Sequence, residues 1–305
     1  MNRKEMNSLL KLPLPELLSL ANKTRKDYLG SKFELCSIVN AKSGHCSEDC
    51  KFCAQSTHHS TKIVTYPLRK NKEILEAARR AKSIGAKKFG IVTSGNYLKT
   101  REIEEIALVI SQIKKKVGIA VCASLGALGR EELKELKQAG LLRYHHNIET
   151  SPRFYKQIVS THDFRERVDT IKTAKSSGLE VCSGGIIGMG EEWRDRIDMA
   201  VLLKELDVDS VPINILVPIK GTTLEALEPI ACCDIIRTIC IFRMILKDKI
   251  IKIVAGRESV LRDFQGLGFM GGANGMLIGG YLTIEGRDVA ADYKLIEEIK
   301  KLWNE

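Results

Sequence analysis

At 305 residues, with 44% hydrophobic and 28% charged residues, the chain can bury the core of one α/β barrel, and no apolar run reaches the length of a membrane span. Its formal net charge of +10 is scattered: KKK at 114–116, KIIK at 249–252 and KK at 300–301 read as solvated ends of elements, and aromatics make up only 6%, so nucleic acid is not an expected partner while a small anionic substrate fits. The N-terminus lacks the continuous apolar core of a signal peptide, which points to the cytoplasm, where nine cysteines are expected as metal ligands or small buried residues rather than disulfides.

In chain order, FELCSIVN (33–40) reads as a strand, and NKEILEAARRAKSIG (71–85) as a helix that stops at Gly85. KKFGIVTSG (87–95) is a strand and loop, REIEEIALVISQIKKK (101–116) a helix, GIAVCASLG (118–126) a strand and REELKELKQAG (130–140) a helix. LLRYHHNIETS (141–151) is a strand and loop, followed by the helix DFRERVDTIKTAKSSG (163–178). LEVCSGGIIGMG (179–190) is a strand with a Gly-rich loop, EEWRDRIDMAVLLKEL (191–206) a helix, SVPINILVPI (210–219) a strand and IACCDIIRTICIFRMIL (230–246) a helix. KIIKIVAGRESV (249–260), NGMLIGGYL (274–282) and a last helix over 291–303 complete the series.

Eight strands alternating with helices predict parallel packing and closure into a (β/α)8 barrel of the TIM type, with an open sheet as the alternative. The expected division is a single domain over 1–305, with a helical extension over 1–32, the barrel over 33–285 and a C-terminal helix over 286–305. In such a barrel, chemistry sits on the loops after the strands.

The loop after the first strand is GHCSEDCKFCAQS (44–56), which places Cys46, Cys50 and Cys53 in a C-x3-C-x2-C spacing. Three thiolates can hold three irons of a [4Fe–4S] cluster and leave the fourth iron open to a small chelating molecule. Zinc is the alternative, with His45, His58 or His59 as fourth ligand, although paired C-x2-C knuckles are the commoner zinc pattern and no second knuckle follows.

With Phe52 before the last cysteine, this loop resembles that of the radical S-adenosylmethionine enzymes, in which the open iron binds S-adenosylmethionine. YHHNIETSPRFY (144–155), VCSGGIIGMGE (181–191), SVPINILVPIKGT (210–222) and VAGRE (254–258) together resemble the biotin synthase family from about residue 30 to 285. The resemblance implies sulfur insertion between C6 and C9 of dethiobiotin, electrons from a flavodoxin or ferredoxin, and a homodimer. It also implies roles for particular residues. Ser94 and Gly95 lie where the superfamily contacts the methionyl amine, and Arg167 where it pairs with the methionyl carboxylate. Glu149 stands where an aspartate holds the ribose hydroxyls. Asn147 matches an asparagine that touches both dethiobiotin and the cofactor, and Asn214 one that meets the ureido group. The glycines of GGIIGMG (184–190) are expected to let the backbone approach adenine or substrate. A hydrogenase-cofactor maturase of similar barrel and a zinc-stabilised RNA-binding protein are the rival readings.

The family usually holds a second, [2Fe–2S] cluster inside the barrel. By resemblance its ligands here include Cys122, Cys182 and Arg257, but Gly90 stands where the remaining cysteine is expected. Cys36, on the neighbouring first strand, occupies a usual serine position and could replace it. The set Cys36, Cys122 and Cys182 favours an auxiliary four-iron cluster with an extra sulfide over the [2Fe–2S] type, as in a variant class of the family. Cys232, Cys233 and Cys240 share one helix and are expected to pack, with Cys232 or Cys233 as a possible extra ligand.

Overall fold

The computed structural model describes residues 3–280, 282 and 286–304. Nine strand segments run parallel: β1 (Glu34–Lys42), β2 (Lys88–Thr93), β3 (Ala120–Ser124), β4 (Arg143–His145), β5 (Glu180–Cys182), β6 (Gly185–Ile187), β7 (Ser210–Ile215), β8 (Ile250–Ile253) and β9 (Gly275–Leu277). β5 and β6 are two pieces of one stave, broken at Ser183 and Gly184, and both pair with β7. The pairing runs from β5 through β4, β3, β2, β1, β9 and β8 to β7, and β7 returns to β5. The result is a closed eight-stave parallel barrel of the (β/α)8 TIM type, and the open-sheet alternative falls.

Helices α1 (Arg3–Leu9) and α2 (Leu14–Leu29) precede the barrel. Around it lie α3 (Asn71–Ser83), α4 (Thr100–Lys116), α5 (Arg130–Ala139), α6 (Pro152–Ile158), α7 (Phe164–Ser176), α8 (Trp193–Glu205), α9 (Cys232–Leu246) and α10 (Gln265–Met270), with α11 (Val289–Asn304) last. Their inner faces follow the 3.6-residue period: in α4, Ile103, Ile106, Ile110 and Ile113 are buried while the lysines at its end face out. The short α6 escapes a period-based reading but carries its own start signal, with Ser151 accepting from the Phe154 N–H at 3.1 Å and Pro152 in its first turn. The predicted strand over 274–282 is ordered as β only over Gly275–Leu277; Tyr281 and the expected barrel boundary at 285 lie outside the described residues.

The strands alternate as a two-sided wall should. In β2, Phe89, Ile91 and Thr93 are buried against helices, while Lys88, Gly90 and Val92 take the other phase. A barrel interior is normally filled by apolar layers, but the lower layer here is ionic. Arg143 lies 2.7 Å from both Glu34 and Glu180, Lys88 3.1 Å from both, and Lys252 2.6 Å from Glu34. β2 and β5 are not neighbours, nor are β1 and β4, so these pairs cross the hollow and form its floor. The solvated reading of KIIK is therefore corrected: Lys252 is only 4% exposed, because its strand phase turns it into the barrel.

Candidate active site

The loop after β1 folds back on itself. The Cys46 N–H donates to the Gln55 carbonyl at 3.1 Å, Thr57 N–H to the Cys46 carbonyl at 2.8 Å, and Cys53 N–H to the Cys50 carbonyl at 2.9 Å. It rests on a separate apolar cluster of Phe154, Tyr155, Ile158, Val159, Met189 and Leu216. Asp49 clamps it to the segment between α6 and α7 by accepting from the Ser160 and Thr161 N–H groups at 2.9 and 3.2 Å, and from both hydroxyls. Although its partial burial works the other way, these bonds hold the Asp49 carboxyl well below the usual range. Burial pushes the Cys50 thiol up strongly and the Cys53 thiol to about 11. A metal bound here would have to displace both protons, which would couple its loading to closure of the loop.

Two of the three candidate zinc histidines are committed elsewhere. His58 Nε2 lies 3.0 Å from the Ser47 carbonyl, and His59 contacts the Cys53 carbonyl at 2.8 Å and Thr223 Oγ1 at 3.2 Å. Among the described residues no three His, Cys, Asp or Glu side chains converge closely enough for one metal ion; the thiolates of a four-iron cubane stand further apart than ligands of a single ion. The three-thiol loop fits the cluster.

Beside the loop, the mouth of the barrel gathers the other nominated residues. Ser94 Oγ donates to the Gly44 carbonyl at 2.7 Å, and Gly95 follows with φ of 96°, so this turn abuts the start of the cysteine loop. Asn147 Oδ1 accepts from Gly184 N–H at 3.1 Å and its Nδ2 donates to Glu149 at 3.3 Å. Asn214 Nδ2 donates to the Gly185 carbonyl at 3.2 Å. The two amides therefore grip the break between β5 and β6. A Cβ at Gly184 would stand 1.9 Å from the Pro212 carbonyl oxygen, and one at Gly185 2.2 Å from that of Glu149. At Gly184 and Gly185 the close approach is to neighbouring backbone.

Glu149 sits at φ of 66°, a conformation rare for a residue with a side chain. Burial pushes its carboxyl up, opposed by Arg167. Arg167, in the second turn of α7, is no solvated helix residue: its Nη1 donates to the Asn147 carbonyl at 3.0 Å and lies 3.9 Å from Glu149, and its Nε donates to the Tyr155 hydroxyl at 2.6 Å.

Below the mouth, β1, β3 and β5 bring Cys36, Cys122 and Cys182 to the hollow beside the ionic floor, all three within electrostatic reach of Lys252. Lys252 Nζ stands 3.1 Å from Cys36 Sγ. Cys122 keeps accessible surface although it is far from bulk solvent, because it lines the hollow, and burial pushes its thiol up to about 12. Burial also raises Cys36, helped by Glu34 and opposed by Lys252. For Cys182 the balance tips the other way: burial is outweighed by Lys252, His145 and Arg143, and its thiol comes down to about 6. A Cβ at Gly90 would lie 3.0 Å from Ile38 Cγ2, so the first strand has filled the place where a second-strand cysteine would project.

The structure does not bring Arg257 to these thiols. Beyond the end of β8 the chain turns at Gly256, with φ of 81°, and Arg257 points outward to Gln265 at 2.6 Å, Asp292 at 2.7 Å and the Leu277 carbonyl at 3.2 Å. Arg257 ties α10 and α11 to the barrel, and the strand-borne Lys252 stands by the thiols instead. None of the α9 cysteines reaches the hollow: Cys232 donates to the Val260 carbonyl at 3.2 Å, Cys233 is exposed and Cys240 is buried in the outer core.

Residues 42–217 match the profile of the radical SAM superfamily, and residues 212–300 that of the biotin and thiamin synthesis associated domain. Over 299 residues, 98% of this chain and 99% of the relative, the sequence is 49% identical to the biotin synthase of Thermotoga petrophila. The chain belongs to the biotin synthase family. Among solved structures, it is similar to methylornithine synthase, with a TM-score of 0.84 and 21% identity over 98% of this chain and 92% of that one. It is also similar to a maturase of the [FeFe]-hydrogenase, with a TM-score of 0.81 and 17% identity over 97% of this chain and 70% of that one. Those two likenesses show the fold alone, so the maturase reading gains nothing from them. Membership of the biotin synthase family implies a [4Fe–4S] cluster and S-adenosylmethionine.

Sequence reasoning missed Lys252, the ionic floor to which it belongs, and Asp49. One signal was present: each of Glu34, Lys88, Arg143 and Glu180 stands two residues before an inward position at 36, 90, 145 and 182, so the strand period turns all four charges into the barrel.

Proposed function

We propose that sulfur insertion into dethiobiotin, the activity of the family to which this chain belongs, runs here with an auxiliary cluster held by Cys36, Cys122 and Cys182 beside Lys252, of a four-iron type with an extra sulfide. The observation that carries this is the 3.1 Å contact between Lys252 and Cys36, in a hollow that also holds Cys122 and Cys182, while Gly90 has no side chain and Arg257 faces away. When bound, the cluster on Cys46, Cys50 and Cys53 and S-adenosylmethionine supply the radical that removes hydrogen from C9 and then C6 of dethiobiotin, and the auxiliary cluster supplies the sulfur.

The chain's own part is positioning and exclusion of water. Arg167 offers a charge-assisted contact to the methionyl carboxylate, the turn at Ser94 and Gly95 meets the amine, and Glu149 takes the ribose hydroxyls. Asn147 and Asn214 each carry two donor hydrogens and two acceptor lone pairs on the side-chain amide. Each has committed one donor and one acceptor to its neighbours. The spare donor and spare lone pair on each amide match a ureido group, which offers one carbonyl and two N–H groups. A flavodoxin or ferredoxin as electron donor, a homodimer, a cytoplasmic setting and a single-domain division over 1–305 complete the reading. No helix among the described residues is long and apolar enough to cross a membrane.

The test counts iron and sulfide in protein reconstituted without oxygen, wild type beside Cys36→Ala. About eight irons falling toward four in the variant is the expected result. About six in the wild type would restore a [2Fe–2S] auxiliary cluster, and about four in both proteins would remove Cys36 from the ligand set.

A further inference from the structure

The mouth contains a chain of hydrogen bonds that leads from a cofactor-side arginine back to the cysteine loop through Tyr155 and His162, which have no assigned contact with substrate or cofactor. It begins at Arg167, whose Nε donates to the Tyr155 hydroxyl at 2.6 Å. A guanidinium has no acceptor, so the direction of this bond is fixed. Tyr155 is 1% exposed, and its hydroxyl hydrogen needs a partner of its own. His162 Nδ1 lies 2.7 Å from that oxygen and is the acceptor facing it. Were Nδ1 to carry the proton, the phenol hydrogen would be stranded in an apolar cluster. The neutral imidazole therefore holds its hydrogen on Nε2.

Nε2 has two neighbours at the same distance, Cys50 Sγ and Glu48 Oε2, each at 3.8 Å. For an oxygen acceptor that is too long for a hydrogen bond. Sulfur is larger, and 3.8 Å is within reach of an N–H···S bond. The ring is held there from both sides. The Asp49 clamp fixes Ser160 and Thr161, immediately before it, and its side chain is only 4% exposed.

We infer that Arg167, Tyr155 and His162 form a directional relay that ends on the Cys50 sulfur and raises the reduction potential of the cluster held by Cys46, Cys50 and Cys53. The inference rests on the assignment of that cluster under the proposed function. Its physical basis is that a hydrogen bond to a cluster thiolate stabilises the more negative, reduced state more than the oxidised one. His162 and Tyr155 are positioning residues in this scheme; they act on the cluster through Cys50 and touch no substrate.

The test is a potentiometric titration, followed by electron paramagnetic resonance, of the anaerobically reconstituted full chain. The signal that shifts on addition of S-adenosylmethionine identifies this cluster. Tyr155→Phe removes one hydroxyl and keeps the ring that packs on Phe164 at 5.2 Å. His162→Leu removes the donor, and His162→Gln keeps an N–H group without needing the relay. Tyr155→Phe and His162→Leu should each make the cluster roughly tenfold harder to reduce, a fall of about 59 mV for one electron. The double variant should fall no further than either single one, because both cut the same chain. His162→Gln should recover most of the loss. Unchanged potentials in loaded variants would overturn the inference. So would loss of the cluster from both variants, since the relay would then hold the loop rather than tune the iron. A wild type with no S-adenosylmethionine-sensitive signal would instead remove the assignment of the three loop thiols.

Discussion

The two sets of three thiols differ in how the chain delivers them and in what surrounds them. Cys46, Cys50 and Cys53 lie on one loop at the barrel mouth, over an apolar cluster that pushes Cys50 and Cys53 up. Cys36, Cys122 and Cys182 come from three staves and face a layer with three cations and two carboxylates, and Cys182 falls to about 6. A loop can be closed by its metal, so apolar support suffices. Thiols fixed on strands cannot move toward a metal, and a charged floor offsets part of the cost of their deprotonation in advance.

The largest expected effect breaks the two sites apart. Cys50→Ser should remove about four irons, leave the auxiliary set in place and lower turnover by more than about a thousandfold, since no radical can then form. Iron analysis beside a biotin assay checks this. If all the iron disappears with that one substitution, the two sites are not independent and the contrast between loop and strand ligands collapses.

Next in size is the fate of the two basic residues near β8. Arg257→Met leaves Asp292 buried without its 2.7 Å partner and should cost about 3–5 kcal/mol in denaturant unfolding, with the iron content of folded protein unchanged. Lys252→Met should behave in the opposite way, with a smaller loss of stability and a visible change at the thiols. Against burial, Lys252 does most to hold the Cys182 thiol down at about 6, so losing Lys252 should raise it toward the ordinary thiol range. Ultraviolet thiolate absorbance followed between pH 5 and 9 should show a transition near 6 that moves up in the variant. Stability follows the same sign. The folded-state value lies below the unfolded one, so the contribution of Cys182 is complete above the unfolded thiol range and fades as pH falls through about 6. In Lys252→Met that acid-side loss should shrink, with His145 and Arg143 retaining part of it.

Much of this molecule can be read before it is folded. The cysteine loop is legible because its three thiols fall within eight residues, and the barrel because its staves and longer helices carry their own periods. Asn147, Glu149 and Arg167 are legible through family motifs, and the structure puts them in contact. Lys252 is not legible in the same way. Its partners Glu34 and Cys36 lie more than 200 residues earlier, on a stave two places round the ring, and a lysine in KIIK looks like a strand end at the surface until the ring closes. Arg257 errs in the reverse direction: the motif around it suggests a role, but only the turn at Gly256 reveals which way it points. Long-range placement across a barrel is what a one-dimensional pattern lacks.

The smallest effect concerns the exchange between Gly90 and Cys36. Register pairs Ile38 with Gly90 and Gly90 with Cys122, whereas Cys36 pairs with Lys88, two residues before Gly90. Gly90→Cys puts a Cβ 3.0 Å from Ile38 Cγ2, so the isoleucine must give by a few tenths of an ångström, and the cost should be about 1 kcal/mol, near the low end for overpacking. Ile38→Ala should relieve it. In Gly90→Cys with Ile38→Ala and Cys36→Ser, the three thiols would lie on the second, third and fifth staves, and iron should fall from about eight to about six as the auxiliary site takes a [2Fe–2S] cluster. Retention of about eight irons would mean that the size of the auxiliary cluster is set by Lys252 and the charged floor, and that the stave from which the third thiol comes is secondary.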